Sequence, residues 1–250
     1  MTGFILFRNA VLRVIRHIDE ALAVSGLIWI AILIVQILVF EVLKTQDFAA
    51  GEGGTLSGPV ILFLILSYIV MFVGPSWIAV EWHRFTLEGK RPTSAFPRWN
   101  GGRVWSYLFL SIVMGVFIGV MIGVAIAVLG LLFGSLFMQP VGVLLLSALV
   151  GLPAVYVFLR MSPVLPGVAL GDKISFATAW KATQPHSAVI FQAGILTIAA
   201  FLLMQFLSPL FGSGFIGLLY ELAAGWVLLM INVSLLSAIY ELAMKGHLDD

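Results

Sequence analysis

The sequence predicts an all-α polytopic membrane protein: six transmembrane helices, an N-terminal amphipathic helix and short interfacial helices on the cytoplasmic side. Three observations carry that prediction. First, 61% of the 250 residues are hydrophobic and only 10% are charged, with a mean hydropathy of +1.12. Soluble domains carry about 25% charged residues. Second, the apolar residues are gathered into long runs, each near the ~20 residues that a bilayer demands of a helix. Backbone amides cannot stay unpaired in hydrocarbon, and these runs are too long and too uniformly apolar for barrel strands, so they must be helices. Third, the basic residues collect at alternate span ends. The whole chain reads as one integral membrane domain, residues 1–250.

The elements follow in order. In residues 4–20, Phe4, Phe7, Val11, Val14, Ile15 and Ile18 share one face at helical spacing. Asn9, Arg13, Arg16, His17 and Glu20 share the other, which predicts a basic amphipathic helix lying on the membrane surface. A polar lead-in to the first span is the alternative. The apolar run that follows is too long for a signal peptide, and no small-residue cleavage site follows it. Spans are predicted at residues 21–43, 59–80, 104–130, 141–159, 187–207 and 215–240. The third is long enough to require tilt.

This count assigns Arg8, Arg13, Arg16, Arg84, Lys90, Arg91, Arg98, Arg103, Arg160, Lys173, Lys181 and Lys245 to one side of the membrane, 12 of the 13 basic residues. Lys44 stands alone on the other. The positive-inside rule then places both termini in the cytoplasm, and a bacterial inner membrane is the expected location. A different number of spans would destroy the bias. Outer loops 44–58, 134–142 and 208–214 are Gly-rich or uncharged, whereas inner loop 81–103 (EWHRFTLEGKRPTSAFPRWNGGR) is long and basic. With an offset of 83, Leu87-Glu88-Gly89-Lys90 lies on Leu170-Gly171-Asp172-Lys173, and Phe96-Pro97-Arg98 on Ala179-Trp180-Lys181. YELAMKGHL (240–248) is a shorter version of the same exit. A repeated hairpin is one explanation. The favoured one is that aromatics and bases anchor each exit at the interface.

Few residues are candidates for chemistry. The chain has no cysteine, which excludes disulfides, thiolate metal sites and cysteine nucleophiles. No phosphate-binding loop, GxSxG elbow or Ser/His/Asp set stands out. His17, His83, His186 and His247 show no metal-ligand spacing. No metal and no cofactor is expected. Gly115, Gly119 and Gly123 form a small-residue stripe that lets another helix approach closely. Packing inside the bundle is its expected role, with a dimer interface as the alternative. Glu221 is the one acidic residue well inside an apolar run, and Asn232 lies about three turns on along the same face. With Gln192 they are candidates for a polar transport path; hydrogen-bonding between helices is the default for Asn232 and for Gln36, Gln192 and Gln205. Gly74-Pro75 and Pro153 should kink or weaken the second and fourth spans. Arg84, Lys90, Arg91, Arg160, Lys173 and Lys181 form a basic rim able to attract anionic headgroups, although bases that only fix topology are the simpler reading.

Residues 159–183, LRMSPVLPGVALGDKISFATAWKAT, interrupt the apolar pattern. Arg160 is expected to snorkel to the headgroups. Ser162-Pro163 and Pro166-Gly167 disfavour continuation of the helix, Gly171-Asp172-Lys173 is turn chemistry, and Ser175 is an N-cap for a short helix in which Phe176, Ala177 and Trp180 face the membrane. The segment reads as an interfacial elbow between two spans. A headgroup at its helix N-terminus beside Lys173 is the minority reading.

Residues 151–183 resemble the fourth-to-fifth span junction of a set of bacterial six-span inner-membrane proteins, similar to the membrane domain preceding some glycerophosphoryl diester phosphodiesterases and to the YciC-like uncharacterised family. The matching positions are Pro153, Pro163 or Pro166, Gly171-Asp172-Lys173, Ser175, Ala179-Trp180 and Thr183. EWHRFTLEGKRP (81–92) is similar to the second-span exit of such proteins. The resemblance implies six spans with cytoplasmic ends and brings no catalytic residues. It also implies no phosphodiesterase activity, because that activity belongs to a separate domain of which the chain carries no part. The expected function is non-catalytic: an accessory or scaffold protein in envelope or lipid homeostasis. Its partners would be membrane lipids, and either another integral membrane protein or a second copy of itself, with no nucleic acid. A transporter or channel is the alternative, and a lipid-modifying membrane enzyme comes third.

Overall fold

A computed structural model describes residues 1–44, 57–92, 98–134, 139–212 and 214–244. Most of loop 44–58, parts of loops 81–103 and 134–142, Ser213, and the tail from Lys245 with His247, Asp249 and Asp250 lie outside them. The chain is an all-α polytopic membrane protein, with six helices long and apolar enough to cross a membrane and no strand among the described residues. The spans are α2 (Ile18–Lys44), α3 (Gly58–Glu88), α4 (Gly101–Phe133), α5 (Pro140–Met161), α8 (Ser187–Leu207) and α9 (Phe215–Met244). Helix α1 (Gly3–Arg16) precedes them, and α6 (Val164–Leu170) and α7 (Phe176–Ala182) fill the junction between α5 and α8. Among the described residues, every basic residue but Lys44 lies toward one end of the bundle, the basic end.

Each sequence-predicted span is present, and α3 runs well past the end that hydropathy suggested. Helix α3 continues eight residues past Val80 through Glu81, His83 and Arg84 to Glu88. These polar groups read as an exit from the membrane, yet each finds a partner inside the bundle, so the helix has no reason to stop. It ends at Gly89, whose left-handed φ of 70° only glycine adopts cheaply. Helix α6 ends the same way at Gly171, φ 99°, so the two exits that look alike in sequence share a stop chemistry. Helix α4, at 33 residues, is about 50 Å long against a hydrocarbon core of about 30 Å, so it tilts or projects.

Lipid tails are as apolar as leucine, so helix association in a bilayer rests on close approach and interhelical hydrogen bonds. The close approaches are not at the predicted stripe. A Cβ built on Gly115, Gly119 or Gly123 meets nothing within 4 Å, and all three face outward on α4. Packing of this stripe inside the bundle is therefore incorrect for the described chain, because α4 turns it away from every neighbouring helix. The glycines that matter are isolated ones. A Cβ on Gly74 would lie 2.7 Å from Ile32 Cδ1 of α2, one on Gly225 would lie 3.2 Å from Trp29 Cζ2, and one on Gly3 would lie 2.6 Å from the Val189 carbonyl of α8. Trp29 donates from Nε1 to the Leu222 carbonyl at 3.2 Å, and Trp226 donates to Ser25 Oγ at 2.7 Å, so indole donors lock α2 to α9. Both proline-bearing helices run on through Pro75 and Pro153 as single helices. Beside Pro75, the Ser76 hydroxyl donates to the Phe72 carbonyl at 3.0 Å.

Helix α1 is amphipathic, but it does not simply lie on a membrane surface. It wedges between α8 and α9 and buries Gly3, Leu6, Ala10 and Val14 there. Phe4 and Ile15, from the predicted apolar face, remain exposed beside this seam. The helix thus has two apolar flanks, one against protein and one outward. Gln192 of α8 receives the Gly3 N–H at 2.9 Å, so the side chain offered for a transport path instead anchors the start of α1.

Candidate functional site

The buried polar chemistry sits in the basic half of the bundle, where the last turns of α3 and α9 run side by side. Trp82, His83 and Thr86 project from α3, and Ser234 and Ser237, one turn apart, project from α9. Serine is small enough for the helices to approach and still offers a hydroxyl. Trp82 Nε1 donates to Ser234 Oγ at 2.8 Å. His83 Nδ1 lies 2.8 Å from Ser237 Oγ, and its Nε2 lies 3.3 Å from the Tyr107 hydroxyl of α4. The Thr86 hydroxyl donates to the Trp82 carbonyl at 2.9 Å and lies 3.1 Å from Ser237 Oγ. A serine beside an imidazole is the pairing that a nucleophile and its base require. Here His83 and Ser237 are both wholly inaccessible, and the far side of the imidazole meets a tyrosine instead of a carboxylate. The sequence offered no Ser/His/Asp set, and the fold assembles only two of its three parts.

Charged groups encircle this core, most of them already paired. Arg13 Nη2 of α1 meets Glu241 of α9 at 2.5 Å. Glu81 accepts from Arg84 at 2.9 Å and from Asn100 at 2.7 Å, and Glu88 forms ion pairs with Arg84 Nε at 3.4 Å and Lys90 at 2.9 Å. Arg103 donates to the Ala169 carbonyl at 2.9 Å, and the Tyr240 hydroxyl donates to Asp172 at 2.7 Å, which secures α6 and its turn to α4 and α9. Two members of the predicted basic rim are thereby corrected. Arg84 is spent on Glu81 and Glu88. Arg160 does not snorkel: only 4% exposed, it donates to Thr183 Oγ1 at 2.8 Å, to the Tyr156 hydroxyl at 2.9 Å and to the Trp180 carbonyl at 2.7 Å, and its guanidinium stacks 4.1 Å from the Trp180 ring. Arg91, Lys173 and Lys181 are exposed as expected, and Lys90 is half-exposed on Glu88.

The elbow at 159–183 is more deeply built than a surface segment. Helix α6 packs between α3 and α4, with Val164, Leu165, Pro166, Gly167 and Ala169 buried. Ser175 caps α7 as its sequence suggests, accepting the Thr178 N–H at 3.1 Å. Ala179 and Ala182 are the buried face of α7, while Ala177 and Trp180 point outward.

The other polar candidates do not converge. Glu221 is exposed at the opposite end of the bundle, accepts a hydrogen bond from Ser208, and borders a cavity of about 870 Å³ with Gln36, Glu41 and Phe215. Asn232 is half-buried eleven residues along α9, about 16 Å away by helical rise. Gln192 is at the basic end with Gly3. The three share no site, because one helix face at a spacing of eleven spans half the membrane.

A second cavity, which sequence reasoning missed, lies at the basic end. It measures about 380 Å³ and is lined by Arg13, His17, Phe85, Thr86, Gly89 and Arg91. Arg13 and His17 stand one turn apart on α1, and that i, i+4 spacing was legible. Arg91 reaches them only because α3 runs eight residues beyond its hydropathic end. No family model, curated protein or solved structure matches the chain.

Proposed function

We propose that this is a non-catalytic integral protein of a bacterial inner membrane, both termini cytoplasmic, serving as an accessory or scaffold protein in envelope or lipid homeostasis. The observation that carries this reading is how the reactive groups are used. His83, Ser237, Tyr107 and Arg160 all bond other helices, Arg84 is taken up by Glu81 and Glu88 of its own helix, and the histidine and serine are sealed from any substrate. A bundle stiffened in this way at one end, with Arg91, Lys173 and Lys181 outward, suits a platform against an anionic lipid surface or a neighbouring membrane complex. The bias of 12 bases to that end supports its cytoplasmic placement.

The test is lipid turnover in membranes enriched in the protein. The expected result is a lipid profile unchanged by the protein and indifferent to His83→Gln and Ser237→Ala. A lipid-altering activity that either substitution abolishes would replace the scaffold with an enzyme. The 870 Å³ cavity bordered by Glu41 and Glu221 favours a second reading, a transporter or channel for a small solute or lipid.

A further inference from the structure

We propose that the cavity formed by Arg13, His17 and Arg91 binds a phosphate group, carried either by an anionic phospholipid or by a soluble phosphate ester. The inference rests on the reading of the basic end as a face turned to anionic lipid, and gives that face a defined site. Three side chains able to carry positive charge line about 380 Å³, and no carboxylate among the described residues lines it. The nearby acids stand behind the cations: Glu241 on Arg13 at 2.5 Å, Glu20 on His17 at 3.7 Å, and Glu88 on Lys90 at 2.9 Å.

A base near a helix C-terminus is ordinary, since it answers the helix dipole, and both α1 and α3 end here. That accounts for where the charges are, but not for their hydrogen bonds. Arg13 spends Nη2 on Glu241, while its Nη1 is enclosed with no hydrogen-bond partner among the described residues. A buried donor left unmade is costly. Arg13 lines the cavity with a guanidinium whose planar donors match a tetrahedral oxyanion, and a small side-chain rotation would bring the enclosed Nη1 to one. His17 is held edge-on against Phe85, ring centroids 5.3 Å apart, so its imidazole is oriented at the cavity wall. Exposed Ile15 and Ile18 flank His17 in the chain, which favours the phosphate of a lipid over a soluble one.

The experiment is thermal unfolding of the full chain in detergent micelles doped with phosphatidylglycerol or phosphatidylcholine, and separately with inorganic phosphate against chloride at equal ionic strength. Phosphatidylglycerol is expected to raise the wild-type Tm beyond phosphatidylcholine. His17→Gln with Arg91→Gln should lose at least half of that increment, Arg91→Gln alone should lose part of it, and Lys44→Gln, at the end of α2 on the opposite side of the bundle, should keep it. A Tm response to inorganic phosphate without one to phosphatidylglycerol supports the site and assigns it to soluble phosphate. No response to either, a full increment in the double variant, or an equal loss in Lys44→Gln would overturn the site. None of these variants touches His83 or Ser237, so failure here leaves the non-catalytic reading standing, and failure of that reading leaves this Tm comparison intact.

Discussion

Replacing Arg160 with alanine should unfasten the junction between α5 and α8. The guanidinium makes three charge-assisted hydrogen bonds, to Tyr156, Thr183 and the Trp180 carbonyl, and stacks on Trp180. At about 1.5–3 kcal/mol each, the bonds set a gross figure of about 4–9 kcal/mol. Burying an arginine that has no carboxylate among these partners costs several kcal/mol, which the alanine variant recovers. Thr183 also keeps other acceptors, the carbonyls of Ala179 and Trp180. The net expected loss is about 2–4 kcal/mol. Arg160→Lys keeps the charge but not the planar fork and should lose about half as much. The assay is reversible unfolding in mixed micelles of mild detergent and dodecyl sulfate, followed by circular dichroism, with amide exchange across residues 176–186 as the local readout. Exchange there should rise before the spans unfold. An alanine variant within about 0.5 kcal/mol of wild type, as for a surface side chain, would refute the reasoning and restore the snorkelling arginine.

The glycines give a paired prediction. Gly74→Val should destabilise the bundle by about 1–3 kcal/mol, because its Cβ would meet Ile32, whereas Gly119→Val should stay within about 0.5 kcal/mol, both measured by the same unfolding titration. Gly3→Ala drives a Cβ into Gln192 Cβ and to 2.6 Å from the Val189 carbonyl, so α1 must lift away from α8 and its amides should exchange at least fivefold faster. Glu221→Gln combined with Asn232→Leu should leave complementation of a deletion strain intact, since the two side chains share no site. Loss of complementation with the fold preserved would favour the transporter.

The spans were legible because a bilayer demands a length of apolar helix, and that demand is local in sequence. So was the Ser175 cap, which depends on residues three apart. What sequence hid was partnership across helices. Glu81 and His83 look like an exit when read alone, but Asn100 and Ser237 make them helix interior. Arg160 has the composition of a snorkelling side chain and the surroundings of a buried one, and only the return of α7 distinguishes the two. The Gly115-Gly119-Gly123 spacing shows what another helix could approach, while Gly74, Gly3 and Gly225 are lone glycines whose neighbours lie far along the chain. The cavity at Arg13 and Arg91 needed both a helix longer than its apolar run and a partner 78 residues away.

On the proposed function, the chain works by holding onto its surroundings at the basic end, not by turning over a substrate. Native mass spectrometry of the protein, taken from its own membrane in a gentle detergent, tests that most directly. The account predicts a species that retains anionic phospholipid, a partner protein, or both. A lone protein, free of lipid and partner in repeated preparations, would contradict it.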